Sequence, residues 1–282
     1  MTPDEPDRFV ETADGRLLHT MRLGAGDDLV VLEAGLGISG QYWGPVQERI
    51  ARSVRVIAYE RAGYGTSTPS TTHRDLAGLT ADLRSVIETE PHRRLVLVGH
   101  SWGGPIVRML AAQLSAAGAP PTGVVLVDQS DEHAAELYVS PVMRWMSAAQ
   151  GMLMPPLAQV RMLAPLMRWT LNGLPEPWRA AAAEASSSVA AARAAAAELS
   201  HVADDIQRLL NAPEDLSGIP VTVLSGRRSS VADRRMRTRL IGAHQETAHS
   251  LSARHVVAAR SGHLIPVSQP DLVAAEALAL LP

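Results

Sequence analysis

Apolar and polar positions along the chain fall into blocks whose period changes. Residues 29–33 form a continuous apolar run closed by glycines, and 54–59, 95–98 and 124–127 are further short apolar runs. Runs of this length rich in valine, isoleucine and leucine predict buried strands. Between them lie stretches of helical spacing at 42–52, 76–90 and 106–117, with Leu79, Leu83, Val86 and Ile87 on one face of the second. Asp14-Gly15 sits between two short extended stretches and predicts a hairpin turn. Strands alternating with helices predict an α/β fold with a largely parallel central sheet flanked by helices.

The alternation stops after the run ending near Asp128. Residues 131–216 hold no convincing strand and carry Trp145, Trp169, Trp178 and most of the methionines, with prolines between short apolar pieces. Within them, residues 178–210 are rich in alanine, the best helix former, and predict helix. Alternation resumes with strand 221–224, helix 233–241, strand 256–259 and helix 272–281. The pattern predicts one α/β core, residues 1–130 and 217–282, interrupted by a helical cap at 131–216. It contains no internal repeat and no long linker.

Composition narrows the chemistry. Over 282 residues the hydrophobic set is 46% and the charged set 20%, ordinary globular values. A formal net charge of −3 gives no basic footprint for general nucleic-acid binding. There is no cysteine, which excludes disulfides, thiolate metal sites and a cysteine nucleophile. All 26 cationic side chains are arginine, which excludes lysine Schiff bases and lysine-dependent phosphate loops. Residues 1–7 are acidic and lack an apolar run, so no secretory signal is expected. The nearest candidate for a membrane span, 152–167, is broken by Pro155, Pro156, Arg161 and Pro165. The expectation is a cytoplasmic protein without a membrane span. The oligomeric state is not legible.

The chemical signal is Gly99-His100-Ser101-Trp102-Gly103, placed between a predicted strand and a predicted helix. A serine on a tight strained turn projects its hydroxyl above the sheet, and flanking glycines let strand and helix pass closely. The helix that follows points its N-terminal amides at the site, which favours developing negative charge. Among ten histidines, His263 stands in Ser261-Gly262-His263, directly after a strand and before the last helix. A loop at the edge of the sheet can bring such a base to the serine.

With these pieces the chain resembles the α/β-hydrolase superfamily over nearly its whole length. Glu33-Ala34-Gly35-Leu36-Gly37 follows the second main strand, where relatives often carry His-Gly-x-Gly. The resemblance implies that the backbone amides of Leu36 and Trp102 form an oxyanion hole, to which Ala34 in place of histidine makes no difference. Arg61-Ala62-Gly63-Tyr64-Gly65-Thr66-Ser67 resembles the family's Asp-Arg-x-Gly-x-Gly-x-Ser loop, with Glu60 for the aspartate, and reads as scaffold. By the same resemblance His263 is the catalytic base. His100 is expected to pack or hydrogen-bond elsewhere.

The triad acid has two family positions. After the strand that follows the cap, the expected carboxylate is missing, and Asp233 comes only a little later. At the position used by a minority of the superfamily, before the cap, Leu126-Val127 runs into Asp128. A carboxylate ending an apolar strand is costly unless paired, and a catalytic histidine is a suitable partner. Asp128 is favoured, with Asp233 next and Asp131 or Glu132 behind.

The apolar cap residues Met143, Trp145, Met154 and Trp169, together with Gly35, are expected to border an apolar substrate pocket. The arginines at 227, 228, 234, 235, 237 and 239 are expected on an exposed helix face and its flanking turn. The implied activity is hydrolysis of a small hydrophobic ester or lactone through Ser101, His263 and Asp128, with no metal or organic cofactor. An elbow serine argues against dehalogenases and epoxide hydrolases of this fold, which use aspartate there. Other acyl transfer, carbon–carbon bond hydrolysis, or a ligand receptor on a hydrolase scaffold stay open, because fold does not fix chemistry.

Overall fold

The computed structural model describes residues 8–72 and 74–281. The reading of residues 1–7 as free of a secretory signal lies outside the described residues.

β1 (Arg8–Glu11) and β2 (Leu17–Leu23) pair antiparallel across the turn at Asp14-Gly15, with Val10 opposite Leu18 and Gly15 at φ +80°. β3 (Asp28–Glu33), β4 (Arg55–Tyr59), β5 (Arg94–His100), β6 (Gly123–Val127), β7 (Val221–Gly226) and β8 (Arg254–Ala258) complete a single eight-stranded sheet. Its order is β1-β2-β4-β3-β5-β6-β7-β8. β2 runs antiparallel to β4, and the neighbours from β4 to β8 are parallel. Parallel strands covered on both faces are apolar throughout. Residues 29–32, 95–98 and 124–127 are accordingly all buried. Successive side chains point to opposite faces, so Leu29 and Val31 join one core while Val30 and Leu32 join the other.

Helices cover both faces. They are α1 (Gly44–Ile50), α2 (Leu76–Glu88), α3 (Gly103–Ala116), α4 (Glu136–Val139), α5 (Pro141–Gln159), α6 (Leu163–Thr170), α7 (Trp178–Ser187), α8 (Val189–Asn211), α9 (Arg234–Ser250), α10 (Ile265–Ser268) and α11 (Pro270–Leu278). α2 and α3 pack on one face of the sheet, α1 and α11 on the other. α2 starts where the Asp75 carboxylate accepts the Gly78 N–H at 3.0 Å, and then buries Leu79, Leu83, Val86 and Ile87.

Between β6 and β7 the chain forms helices and no strand, as the pattern predicts. Two details differ. The alanine-rich stretch is two helices, because Ser188 caps α8 by accepting the Ala191 N–H at 3.0 Å. α5 runs on through Pro155 and Pro156, each of which removes one intrahelical donor. α9 is also longer than the 233–241 predicted. Its second half buries Ala243, His244, Thr247 and Ala248, a largely polar or small face that hydrophobic periodicity does not detect.

Ser101 (φ +53°) and Asp128 (φ +44°) are left-handed and follow the ends of the adjacent strands β5 and β6. Both are strained backbone positions of the kind that gathers at functional sites. Among the described residues no helix is long and apolar enough to cross a membrane.

Candidate active site

The turn at Ser101 is built by close approaches. A Cβ on Gly99 would lie 2.3 Å from the Gly103 carbonyl oxygen, and one on Gly103 would lie 2.5 Å from that of Glu33. Only glycine fits either place. The Ser101 N–H donates to the Val127 carbonyl at 3.1 Å, and the Ser101 carbonyl accepts from Gly104 and Ser130, both at 3.0 Å. The turn is thereby tied to β6 and to α3.

His263 reaches Ser101 from the loop between β8 and α10. Its Nε2 lies 3.1 Å from Ser101 Oγ, and its Nδ1 lies 2.7 Å from Asp128 Oδ2. An ionised carboxylate can only accept, so Nδ1 carries the proton and donates to Asp128. Nε2 is left to accept from the serine hydroxyl.

Asp128 is fully buried. Its Oδ1 accepts the Gly226 N–H at 2.8 Å, and the Arg237 guanidinium donates to Oδ1 at 2.8 Å and to Oδ2 at 2.6 Å. Burial opposes ionisation. The His263 bond and the charges of His263 and Arg237 outweigh it and hold the carboxyl well below its usual range.

The other acids weighed from sequence are engaged elsewhere. Asp131 accepts from Gln129 at 2.9 Å and Thr247 at 2.7 Å, and Glu132 takes both Nη atoms of Arg108 at 2.6 and 2.8 Å. Asp233 accepts from the Ser230 hydroxyl at 2.6 Å and, among the described residues, forms no hydrogen bond with His263.

His100 turns away from the serine hydroxyl into the core. Its Nε2 donates to the His263 carbonyl at 3.0 Å, and the two rings lie 4.7 Å apart between centroids. Full burial, helped by the nearby His263 charge, pushes His100 down to about 3, so the ring is neutral.

Two backbone donors belong to residues that border this site. Among the described residues, neither the Leu36 nor the Trp102 N–H has an acceptor, and both residues border the pocket at Ser101. Gly35 lies under the serine, where an added Cβ would sit 3.2 Å from Ser101 Cβ and 3.2 Å from His100 Nδ1. Arg61 holds this loop from behind, donating to the Ala34 and Gly35 carbonyls, each at 2.7 Å.

The pocket has a volume of about 420 Å³. Leu36, Trp102, Gln129 and Ser130 form its floor with Ser101 and His263, while Leu137, Tyr138, Met143, Leu199 and Val202 come from α4, α5 and α8. Met236, Arg237 and Leu240 enter from α9.

Of the expected wall, Met143 is in place. Trp145 and Trp169 point outward instead, 71% and 72% exposed, and Met154 packs among Tyr64, Ala158 and alanines of α8. For Trp145 the cause is the helical period of α5. α5 turns Met143 and Ser147 to the pocket, which puts Trp145 on its outer side. Gly35 supports the serine rather than the wall.

The arginine cluster also needs correction. Arg227, Arg228, Arg234 and Arg235 are exposed, but Arg237 is buried on Asp128. Arg239 bonds Glu136 and the His133 carbonyl. Sequence reasoning missed Arg237 together with the Leu199, Val202, Met236 and Leu240 contributions. The available signal was spacing: Leu199 with Val202, and Met236 with Leu240, recur at helical intervals.

Comparison with known proteins agrees with this architecture. A family model described as "Alpha/beta hydrolase family" matches residues 29–276. A protein of Caulobacter sp. (strain K31), provisionally named carbamate hydrolase RutD, is 33% identical over 96 residues, covering 33% of this chain and 35% of that protein. The chain spans 30% to 41% of the length of the first three curated relatives it matches. Cfl2 of Burkholderia cenocepacia has the same fold, with a TM-score of 0.77 at 23% identity over 98% of this chain and 95% of that one. So has the esterase EaEST of Exiguobacterium antarcticum, with a TM-score of 0.68 at 17% identity over 98% and 100%. From a matched span of 248 residues (29 through 276) and a shared fold over nearly its full length, the chain belongs to the alpha/beta hydrolase family.

Proposed function

We propose that this protein is a serine hydrolase that cleaves a carboxylic ester or lactone of an apolar substrate. The observation that carries the reading is the line of hydrogen bonds Ser101–His263–Asp128, opening into a pocket bordered mainly by apolar side chains. Residues 131–216 serve as a lid over this pocket, and the remaining chain is the hydrolase core.

In this mechanism His263 Nε2 takes the Ser101 proton as Oγ attacks the substrate carbonyl. The carbonyl π pair moves onto oxygen, and the Leu36 and Trp102 amides hold the resulting oxyanion. A preorganised donor of this kind is worth about 3 kcal/mol in the transition state. Collapse of the tetrahedral intermediate breaks the carbon–oxygen bond to the leaving alkoxide, which takes the proton from His263 and leaves an acyl-Ser101. Water, deprotonated by His263, then attacks the acyl carbon and regenerates the serine. Asp128 fixes the Nδ1–H tautomer and stabilises the imidazolium formed in each half-reaction. No step of this route requires a cofactor.

A substrate panel tests the reading: short and long p-nitrophenyl esters, an aryl lactone, an anilide and a carbamate. The carbamate is included because of the name of the Caulobacter relative. Ester or lactone turnover that is lost in Ser101→Ala supports the proposal. Thermal stabilisation by these compounds without product would instead make the chain a ligand receptor.

A further inference from the structure

We infer that Arg237 is a positioning residue for the hydrolytic reaction, holding Asp128 in place and balancing its charge so that His263 works as a base. The inference rests on the triad reading above. Asp128 carries an unusual load for one carboxylate. It sits in the left-handed region just past β6, and its side chain must point across to His263. One backbone donor, the Gly226 N–H, supports it. The remaining support is Arg237 Nη1, which bridges both carboxylate oxygens at 2.8 and 2.6 Å. Arg237 is 5% exposed, so little solvent screens the pair.

The helix that carries Arg237 is anchored along the same segment. From α9, His244 Nε2 donates to the Gln129 carbonyl at 2.9 Å, and the Thr247 hydroxyl donates to Asp131 at 2.7 Å. Arg239 bonds the His133 carbonyl and Glu136. α9 therefore grips residues 128 to 136, the exit of β6, at four further places. Arg237 is the member of this grip that ends on the carboxylate facing His263.

Charge makes the arrangement consequential. A lone buried aspartate beside an imidazole favours the protonated ring strongly and slows general-base work at acidic pH. A guanidinium on that aspartate offsets part of its field. Among the described residues, the other titratable and charged groups around the pair include His100 from β5, Asp131 just past β6, Tyr138 from α4, Asp233 just ahead of α9, and His244 on α9. His100 is neutral and tied to a carbonyl, and His244 donates Nε2–H to a carbonyl while its Nδ1 faces the Ser225 hydroxyl. Arg237 is the fixed cation at the carboxylate.

The test compares wild type with Arg237→Gln, Arg237→Lys, Asp128→Asn and the Arg237→Gln/Asp128→Asn double variant, on a p-nitrophenyl ester across pH 5 to 9. For Arg237→Gln the expectation is a tenfold or greater loss of kcat, an unchanged KM, and an acid limb displaced to higher pH. Arg237→Lys keeps the charge and so keeps the acid limb of the wild type, with a smaller loss of kcat. The double variant matches Asp128→Asn alone, because Arg237 acts through that side chain.

Several results overturn the proposal. One is an Arg237→Gln enzyme with wild-type kcat and pH profile but lowered Tm. Another is losses that multiply in the double variant. A third is a loss confined to KM, which would place Arg237 on the substrate. If Arg237→Gln does not fold, Arg237→Lys decides alone, and wild-type kcat in it overturns the positioning role. A fully active Asp128→Asn variant would reject the triad reading itself, a result distinct from failure of the Arg237 role.

Discussion

Arg61 and Glu198 join two stretches of chain 137 residues apart, Arg61 Nη2 donating to Glu198 Oε2 at 2.9 Å and Nε to Oε1 at 3.2 Å. The same guanidinium donates to Glu33 at 2.7 Å and to the two carbonyls of the loop that ends in Leu36. Arg74 is a further partner of Glu198, and all three charged groups are buried. Breaking a buried ion pair by removing one partner costs about 3–5 kcal/mol, because the other charge is stranded. Glu198→Ala should therefore lower Tm sharply. The conservative Arg61→Lys should lose the forked contacts and slow turnover, since the Ala34-Gly35 carbonyls are no longer held. Thermal unfolding of the first and ester kinetics of the second check both outcomes. Wild-type kinetics in Arg61→Lys would mean the loop needs no such support.

The choice of acid has a paired test. Asp128→Asn should reduce kcat by roughly 10³- to 10⁴-fold, as loss of the acid does where it sets the histidine tautomer. Asp233→Asn should leave turnover near wild type, since among the described residues Asp233 is bonded to Ser230 and not to His263. Steady-state kinetics on one ester suffice. The reverse pattern would move the acid to Asp233.

Two glycines separate chemistry from stability. An alanine methyl at residue 35 meets Ser101 Cβ and His100 Nδ1 at 3.2 Å, contacts that a small shift relieves at the cost of serine position. Gly35→Ala should lose activity while staying folded. An alanine at residue 103 meets a backbone oxygen at 2.5 Å, which cannot move aside. Gly103→Ala should destabilise by about 1–3 kcal/mol, the usual range for overpacking. Kinetics beside thermal melts will tell the two apart.

Acid sensitivity follows from His100. In the folded protein it stays neutral down to about 3, whereas in the unfolded chain it binds a proton near its ordinary value of 6.5. Between those values the unfolded state binds more protons. Stability therefore falls as pH falls from about 6.5, by up to about 1.4 kcal/mol per pH unit for one proton. His255, lowered by burial, acts in the same sense. His133, raised by Asp131, acts oppositely, its stabilisation being present at low pH and lost as pH rises. The measurement is therefore a difference: His100→Gln should flatten the dependence of Tm on pH between 6.5 and 5 relative to wild type. Equal slopes would count against a neutral buried His100.

How much of the fold and site is legible in the sequence depends on whether the signal is local. The strand and turn around Ser101 are written in nine consecutive residues (95 through 103), and the histidine loop in three, so both stand out from the residues alone. The position of Asp128 is legible as an anomaly, a carboxylate at the end of an apolar strand. That anomaly favours it over Asp233 in the sequence, while its bond to His263 depends on the three-dimensional path of the His263 loop.

Arg237 is illegible for the opposite reason. It stands among five other arginines within thirteen residues (227 through 239), and nothing in the local pattern distinguishes the one that turns inward. The second half of α9 escapes the pattern because its packed face uses His244 and Thr247, whose burial is permitted by hydrogen bonds that periodicity cannot see. Trp145, Met154 and Trp169 are legible as apolar but not as facing anywhere. A hydrophobic residue in a helical insertion can meet the pocket, the helix next to it, or water.

The central claim is that Ser101 is an activated nucleophile. It is tested most directly by the intact mass of the protein after incubation with a fluorophosphonate, followed by mapping of the modified peptide. The account predicts one stoichiometric adduct, located on Ser101 and absent from Ser101→Ala. A folded protein that takes up no label, or that is labelled equally in Ser101→Ala, would contradict it.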